Sequence, residues 1–242
     1  MKLHAIVAAA VAGSLALAAA GGAVQAQESD LVFYGVQVEQ LEYRRGDDGE
    51  DLGVYDADAF VGTDELKLRW QGKGEYDLEA EAFETLENRV VLQTPISDFF
   101  DLKGGVRLDT PKGADRWYGV VGVAGLAPQW FEIDADLFLS ETGDASARLD
   151  VEYELLITNR VVLTPSAEID VAFSDDQEIG IGAGVSTIEV GLRLSYDLVD
   201  RAVSPYVGVA YEASLGETAD LRRDAGEGTG AVFGVVGVRL IF

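Results

Sequence analysis

The sequence predicts an all-β fold: a transmembrane antiparallel β-barrel of about 12 strands that follows a cleaved signal peptide. Three observations carry that prediction. Apolar and polar side chains alternate with period two over segments of about 9 to 13 residues, long for soluble strands and suited to tilted strands that cross a bilayer. The 242 residues combine 48% hydrophobic residues with 43 Asp and Glu against 18 Lys and Arg, a formal charge of −25. An export signal stands at the start, and no later apolar run is long enough for a spanning helix.

Residues 1–26 begin with Lys2, pass through small apolar residues from Ala5 to Ala20 and reach Val24-Gln25-Ala26, ahead of Gln27-Glu28-Ser29-Asp30. A positive start, an apolar middle and a small residue at the cut make a secretory signal, and an alanine-rich run of this length is short for a span of about 20 residues. The expected division is therefore a signal peptide over 1–26 and a barrel over 27–242. Cleavage removes Met1 and His4, the only Met and the only His in the sequence.

Strands are expected to start near Leu31, Val54, Glu65, Glu87, Phe99, Trp117, Trp130, Ser146, Val161, Thr187, Ser204 and Ala231. The clearest alternation runs from Glu65 to Ala82, with Leu66, Leu68, Trp70, Tyr76, Leu78 and Ala80 on one parity and Lys67, Arg69, Lys73, Glu75, Asp77 and Glu79 on the other. Farther on, Phe131, Ile133, Ala135, Leu137 and Leu139 oppose Glu132, Asp134 and Asp136. A continuous strand from Ala147 to Ile157 likewise sets Leu149, Val151, Tyr153 and Leu155 against Arg148, Asp150, Glu152 and Glu154. Val232, Val236, Val238, Leu240 and Phe242 share one face of the last segment, and a terminal outward Phe resembles the carboxy-terminal signal of outer-membrane barrels.

Connections alternate in character as well. Long acidic or Gly-rich loops (44–53, 110–116, 174–184, 215–230) are expected between tight turns (62–64, 127–129, 158–160, 199–203). Short turns on one rim and longer loops on the other is the arrangement of outer-membrane barrels, and an even strand number brings both chain ends to one side. Closure is obligatory in lipid, where every backbone polar group must be paired. Carboxylates must then face the lumen, where Lys67, Arg69, Lys103, Arg107, Arg148, Arg193 and Arg239 share their parity and offset the desolvation.

Composition excludes several functions. A chain this acidic has no basic face for phosphates, so no nucleic-acid partner is expected. Without Cys there are no thiolate metal sites, disulfides or thiol nucleophiles, and without His in the mature chain there is no Ser-His-Asp triad and no imidazole-bound zinc. No enzyme is expected. The Gly-rich strings at 119–123 and 180–184 are not followed by helices, so they read as strand glycines and not as phosphate loops. The acidic stretch Gly46-Asp47-Asp48-Gly49-Glu50-Asp51 lacks the spacing of a helix-loop-helix calcium site and reads as a solvated loop, with calcium bridging to lipopolysaccharide as its remaining role.

Several strings resemble the outer-membrane copper resistance protein B family. They are residues 125–132 (GLAPQWFE), 137–144 (LFLSETGD), 146–165 (SARLDVEYELLITNRVVLTP), 179–186 (IGIGAGVS), 188–194 (IEVGLRL), 205–209 (PYVGV) and 216–227 (GETADLRRDAGE), in collinear order, with a similar first hairpin over 40–53 and 56–70. The resemblance implies an outer-membrane barrel in contact with lipid and lipopolysaccharide that acts in copper tolerance beside a periplasmic multicopper oxidase, with a copper ion bound, sequestered or passed. It also implies a Met- and His-rich amino-terminal region, for which this chain leaves no room before its first expected strand. Copper(I) prefers sulfur ligands and copper(II) imidazole. The candidate metal ligands that remain are the inward carboxylates Glu132, Asp134, Asp136, Asp150, Glu152 and Glu154. The alternative is a small cation-selective or purely structural barrel whose lumenal acids set field and hydration without ligating copper.

Overall fold

In the computed structural model, residues 31–110 and 115–242 are described. The expected signal peptide and part of the 110–116 loop lie outside these residues. The wall is built from β1 (Phe33–Gly46), β2 (Asp51–Gly62), β3 (Lys67–Asp77), β4 (Ala82–Pro95), β5 (Phe100–Thr110), β6 (Arg116–Ala127), β7 (Phe131–Ser140), β8 (Ala145–Tyr153), β9 (Leu155–Leu156), β10 (Val161–Ala172), β11 (Gly184–Tyr196), β12 (Val203–Ser214) and β13 (Gly230–Ile241). One helix, α1 (Gly216–Asp224), lies in the last long connection. Each strand pairs antiparallel with its neighbours, and β1 pairs with β13, so the sheet closes into a ring.

β8 and β9 occupy one place in that ring, which makes twelve staves. Their common partner is β10, and the gap between Glu152↔Ser166 and Leu155↔Leu163 falls opposite Pro165. Proline has no N–H for the ladder, so the strand expected to be continuous from Ala147 to Ile157 is interrupted at Glu154.

Strand starts lie within five residues of those expected, and two boundary readings are corrected. Alternation from Glu65 to Ala82 does not make one strand: β3 ends at Asp77, whose carboxylate accepts the backbone N–H groups of Glu79 (2.7 Å) and Ala80 (2.9 Å) and turns the chain. The stretch 44–53 is not a long loop. β1 runs to Gly46 and β2 starts at Asp51, with the Glu50 N–H held by the Asp48 side chain (3.0 Å) and Gly49 at φ +100° where a side chain would be strained. Local acidity masked a hairpin.

On the terminal rim, where β1 begins and β13 ends, the connections are short. Ser97 Oγ accepts N–H groups from Phe99 and Phe100, Thr158 Oγ1 accepts those of Arg160 and Val161, and tight turns sit at Pro128–Trp130 and Val199–Arg201. The longer excursions, 173–183 and 215–229, are on the opposite rim.

Outward residues are aliphatic through the middle of the wall, for example Val106, Val121, Leu137, Val190, Val207 and Val236, all exposed. Exposed aromatics mark the two ends: Tyr34, Phe99, Trp130, Tyr196 and Phe242 near the terminal rim, and Tyr43, Trp117, Phe173 and Tyr211 near the loop rim. An apolar band between two aromatic girdles is the surface a bilayer requires. Val121, outward at the centre of β6, should lie near the middle of that band. Its replacement by Arg is expected to cost about 2–4 kcal/mol, measured as reversible urea unfolding of the barrel in lipid vesicles.

Candidate functional site: a lumen crossed by ion pairs

Inward side chains divide into apolar and charged zones. Leu52, Val54, Tyr206, Ala210, Phe233 and Val235 form a buried cluster on one side of the lumen. Tyr118, Val120 and Phe138 form another, over which the guanidinium of Arg107 lies 4.5 Å from the Phe138 ring centre and 5.0 Å from that of Tyr118. Sequence parity had placed charges inside without showing these apolar patches, because isolated inward Val and Phe do not disturb an alternating pattern.

Beside the first cluster, Glu42 is fully buried yet fully bonded. It accepts from Arg44 Nε (2.8 Å), Arg193 Nε (2.6 Å) and the Tyr206 hydroxyl (2.9 Å), and Arg44 also reaches Glu189 (3.1 Å). Arg44 was expected in a loop; the extension of β1 to Gly46 turns it inward, and it is only 1% exposed. A bulge in β1, where Val38 faces Ala57 but Gln40 faces Asp56, inserts Glu39, which lines the lumen too.

Charged side chains span the lumen at its centre. Lys73 Nζ on β3 donates to Glu168 on β10 (2.8 Å), with Asp56 of β2 at 3.5 Å and Asp150 of β8 at 3.7 Å. β3 and β10 are six places apart in the ring of twelve, so this bond joins opposite walls. Arg148 of β8 donates to Glu87 of β4 (3.1 Å) and Asp170 of β10 (2.8 Å), while Arg107 Nη2 reaches Glu87 at 2.9 Å. Lys73 and Asp150 line both of the cavities that result, one of about 450 Å³ toward the terminal rim and one of about 410 Å³ toward the loop rim.

Both cavities remain acidic despite the pairing. Eleven carboxylate side chains and four cationic ones line the first, and twelve and five line the second. At the loop rim, the 173–183 excursion folds over the opening: Ile179 and Ile181 line the second cavity, and Arg116 on β6 holds Asp176 (2.9 Å) and Glu178 (3.0 Å). Gly182 N–H donates to Thr218 Oγ1 of α1 (3.0 Å), which ties the two long connections together.

Among the six carboxylates singled out from the sequence, Glu132 faces Glu152 and Asp134 faces Asp150 across the β7–β8 ladder, while Asp136 faces Arg148. Most of them have cationic partners. Lys103 holds Asp134 and Asp136 (2.9 Å to the latter), Arg89 also holds Asp136, and Arg239 holds Glu152 (3.1 Å) and Glu154 (2.7 Å). Glu132 lies exposed toward the terminal rim, with no ion pair within 4 Å among the described residues. Gly122 is needed beside this group, since a Cβ there would collide with the Asp136 carboxylate. The central residues Lys73, Glu87 and Glu168 were missed as site residues; they share the inward parity, but nothing local distinguishes them from other charges on it.

Donor chemistry here is all oxygen. With no Cys, and the only Met and His at positions 1 and 4, the lumen offers carboxylates and hydroxyls, which suit hard or hydrated cations and do not suit copper(I). Among the described residues, Glu50, Asp77 and Glu84 also bring carboxylate oxygens within 4.8 Å of one another near the loop rim.

The family described as "Copper resistance protein B precursor (CopB)" matches residues 32–242. The "Copper resistance protein B homolog" of Pseudomonas syringae pv. tomato is 33% identical over 220 residues, 90% of this chain and 72% of that protein. "Copper resistance protein B" of Escherichia coli is 33% identical over 212 residues, 87% of this chain and 70% of that one. This chain belongs to the copper resistance protein B family. Among solved structures, the NanC porin aligns with a TM-score of 0.51 at 12% identity, covering 86% of this chain and 99% of that one, a likeness of fold. Family and fold together place this copper resistance protein B member among outer-membrane barrels.

Two outcomes follow from the charge arrangement. Glu42→Ala leaves two buried guanidinium groups without their shared acceptor and is expected to cost about 3–5 kcal/mol, read from urea unfolding in vesicles. In the turn after β1, burial first, then Glu84, Asp48 and Asp77, raise the pKa of Glu50 above its ordinary value. A carboxyl whose folded pKa is raised opposes folding once ionised, and the opposition disappears below its unfolded pKa of about 4.3. Glu50→Gln should therefore raise the unfolding midpoint at pH 8 and leave it unchanged at about pH 3.5.

Proposed function

We propose that this family member supports copper tolerance by concentrating and passing cations through its acidic lumen, with copper as cargo held by oxygen contacts and hydration in place of sulfur or imidazole ligands. The observation that carries this reading is the excess of carboxylates over cationic side chains in both cavities. Low-dielectric walls focus the field of such an excess and raise the local cation concentration. In this reading residues 1–26 are an export signal, the terminal rim faces the periplasm, and the loop rim faces lipopolysaccharide. Glu154 at the rim, then the facing Glu132 and Glu152, then Asp134, Asp150 and Asp136 deeper in, form the acidic approach from the periplasmic side, where a multicopper oxidase would act on the same metal. Copper(II), which accepts carboxylate and water oxygens, fits these donors better than copper(I).

A second reading is favoured by the ion pairs that cross the lumen: a barrel that stabilises the envelope and leaves copper untouched. Two measurements separate them. Reconstituted in planar bilayers under a KCl gradient, the barrel is expected to pass K⁺ in preference to Cl⁻, and a silent or chloride-selective barrel would refute cation passage. Deleting the gene should sensitise cells to copper, and restoring the barrel should reverse it. Unchanged tolerance would leave only the structural reading.

A further inference from the structure

Lys73 differs from the inward arginines around it. Arg89, Arg107 and Arg148 use planar guanidinium groups, each bonded to carboxylates on more than one residue or by more than one nitrogen, and their side chains are 5%, 12% and 14% exposed. Lys73 is a point charge on a flexible four-carbon stem, its side chain is 34% exposed, and only one of its three carboxylate neighbours is at hydrogen-bond distance. It stands where the two cavities meet, bonded to the wall opposite its own. Glu39 lines both cavities as well; its carboxylate accepts from Gln37 Nε2 (3.1 Å) and has no ion pair within 4 Å among the described residues.

We propose that the Lys73 ammonium is a tethered counter-ion that closes the passage between the two cavities, and that a cation crossing the barrel displaces it from Asp56, Asp150 and Glu168. The displaced ammonium has an acceptor ready in Glu39, so neither the lysine nor the carboxylates it leaves are stranded without a partner while a cation passes. Only a cation can make the exchange: an anion would meet the three carboxylates once the lysine moved. The guanidinium pairs around it stay in place and keep the wall rigid. Cationic cargo of any chemistry compatible with oxygen contacts is thereby admitted and anions are refused, which deepens the cation-passage reading and rests on it.

The test compares the refolded full chain with Lys73→Met in planar bilayers under a KCl gradient, with heat-modifiable mobility on gels as the folding control. Removing the ammonium while keeping the stem is expected to raise K⁺ conductance about threefold or more, as for an opened constriction. Lys73→Arg, whose fork holds two carboxylates at once, should lower it. Arg223→Gln, which removes an exposed positive charge of α1 that lines neither cavity, should leave it within about 20% of the starting value. If Lys73→Met does not fold, Lys73→Gln carries the same measurement. A folded Lys73 variant with unchanged current and intact K⁺ preference overturns the role of Lys73 and leaves cation passage standing. A variant that opens while the barrel prefers Cl⁻ overturns cation passage and keeps Lys73 as the closing residue.

Discussion

In hydrocarbon, a backbone N–H or C=O without a partner costs several kcal/mol, and the chain can meet that constraint only by leaving no sheet edge. Pairing of β1 with β13 is therefore the contact on which the rest depends. It fixes a ring of twelve staves, and the ring decides which residues stand opposite one another. The ladder is interrupted opposite Pro165, where the register resumes unchanged, and between Val38 and Glu42 of the closing β1–β13 pair, where it shifts by one residue. Bulges in β1, β4 and β11 absorb single residues without breaking closure, and each re-aims a side chain, as with Glu39.

Once the ring is closed, the lumen must manage its own charge. Carboxylates excluded from lipid crowd inside, and the structure answers with cations that reach across the space between walls instead of along them. Arg44, Arg148 and Lys73 each bind acids from strands that are not their neighbours, so these bonds act as struts as well as compensation. Removing one member of a fully buried pair such as Arg44–Glu42 would leave an uncompensated buried charge. The struts do not neutralise the lumen. What remains is a negative interior crossed by ion pairs at mid-height, and in the proposed reading such an interior attracts cations whose passage depends on how firmly each strut is held.

Family membership and lumen chemistry have to be read together. The curated relatives carry copper resistance in their names, yet this chain offers oxygen donors alone inside its barrel. A role in copper tolerance that works through field and hydration asks nothing of sulfur or imidazole, so the two facts are compatible. Of the six carboxylates picked out from the sequence, Glu132 and Asp134 face Glu152 and Asp150, Asp136 faces Arg148 and Glu154 follows β8, and most of them are held by Lys103, Arg89 or Arg239. In the proposed reading their place is an approach to the centre of the lumen.

By itself the sequence determined which parity of each strand meets lipid and which meets the lumen, because a period of two leaves no other solution once a bilayer surrounds the wall. It also determined the strand number, the tight turns of the terminal rim and a donor set without Cys, with the only Met and the only His at positions 1 and 4. Acidic residues in 46–51 hid a hairpin because turn chemistry and solvated-loop chemistry use the same residues, and alternation past Asp77 overran a turn for the same reason. Only the tertiary structure decided which charges meet. Lys73 and Glu168 are far apart in sequence and join because closure and register set their strands on opposite sides of a ring of twelve, a distance that no local pattern encodes.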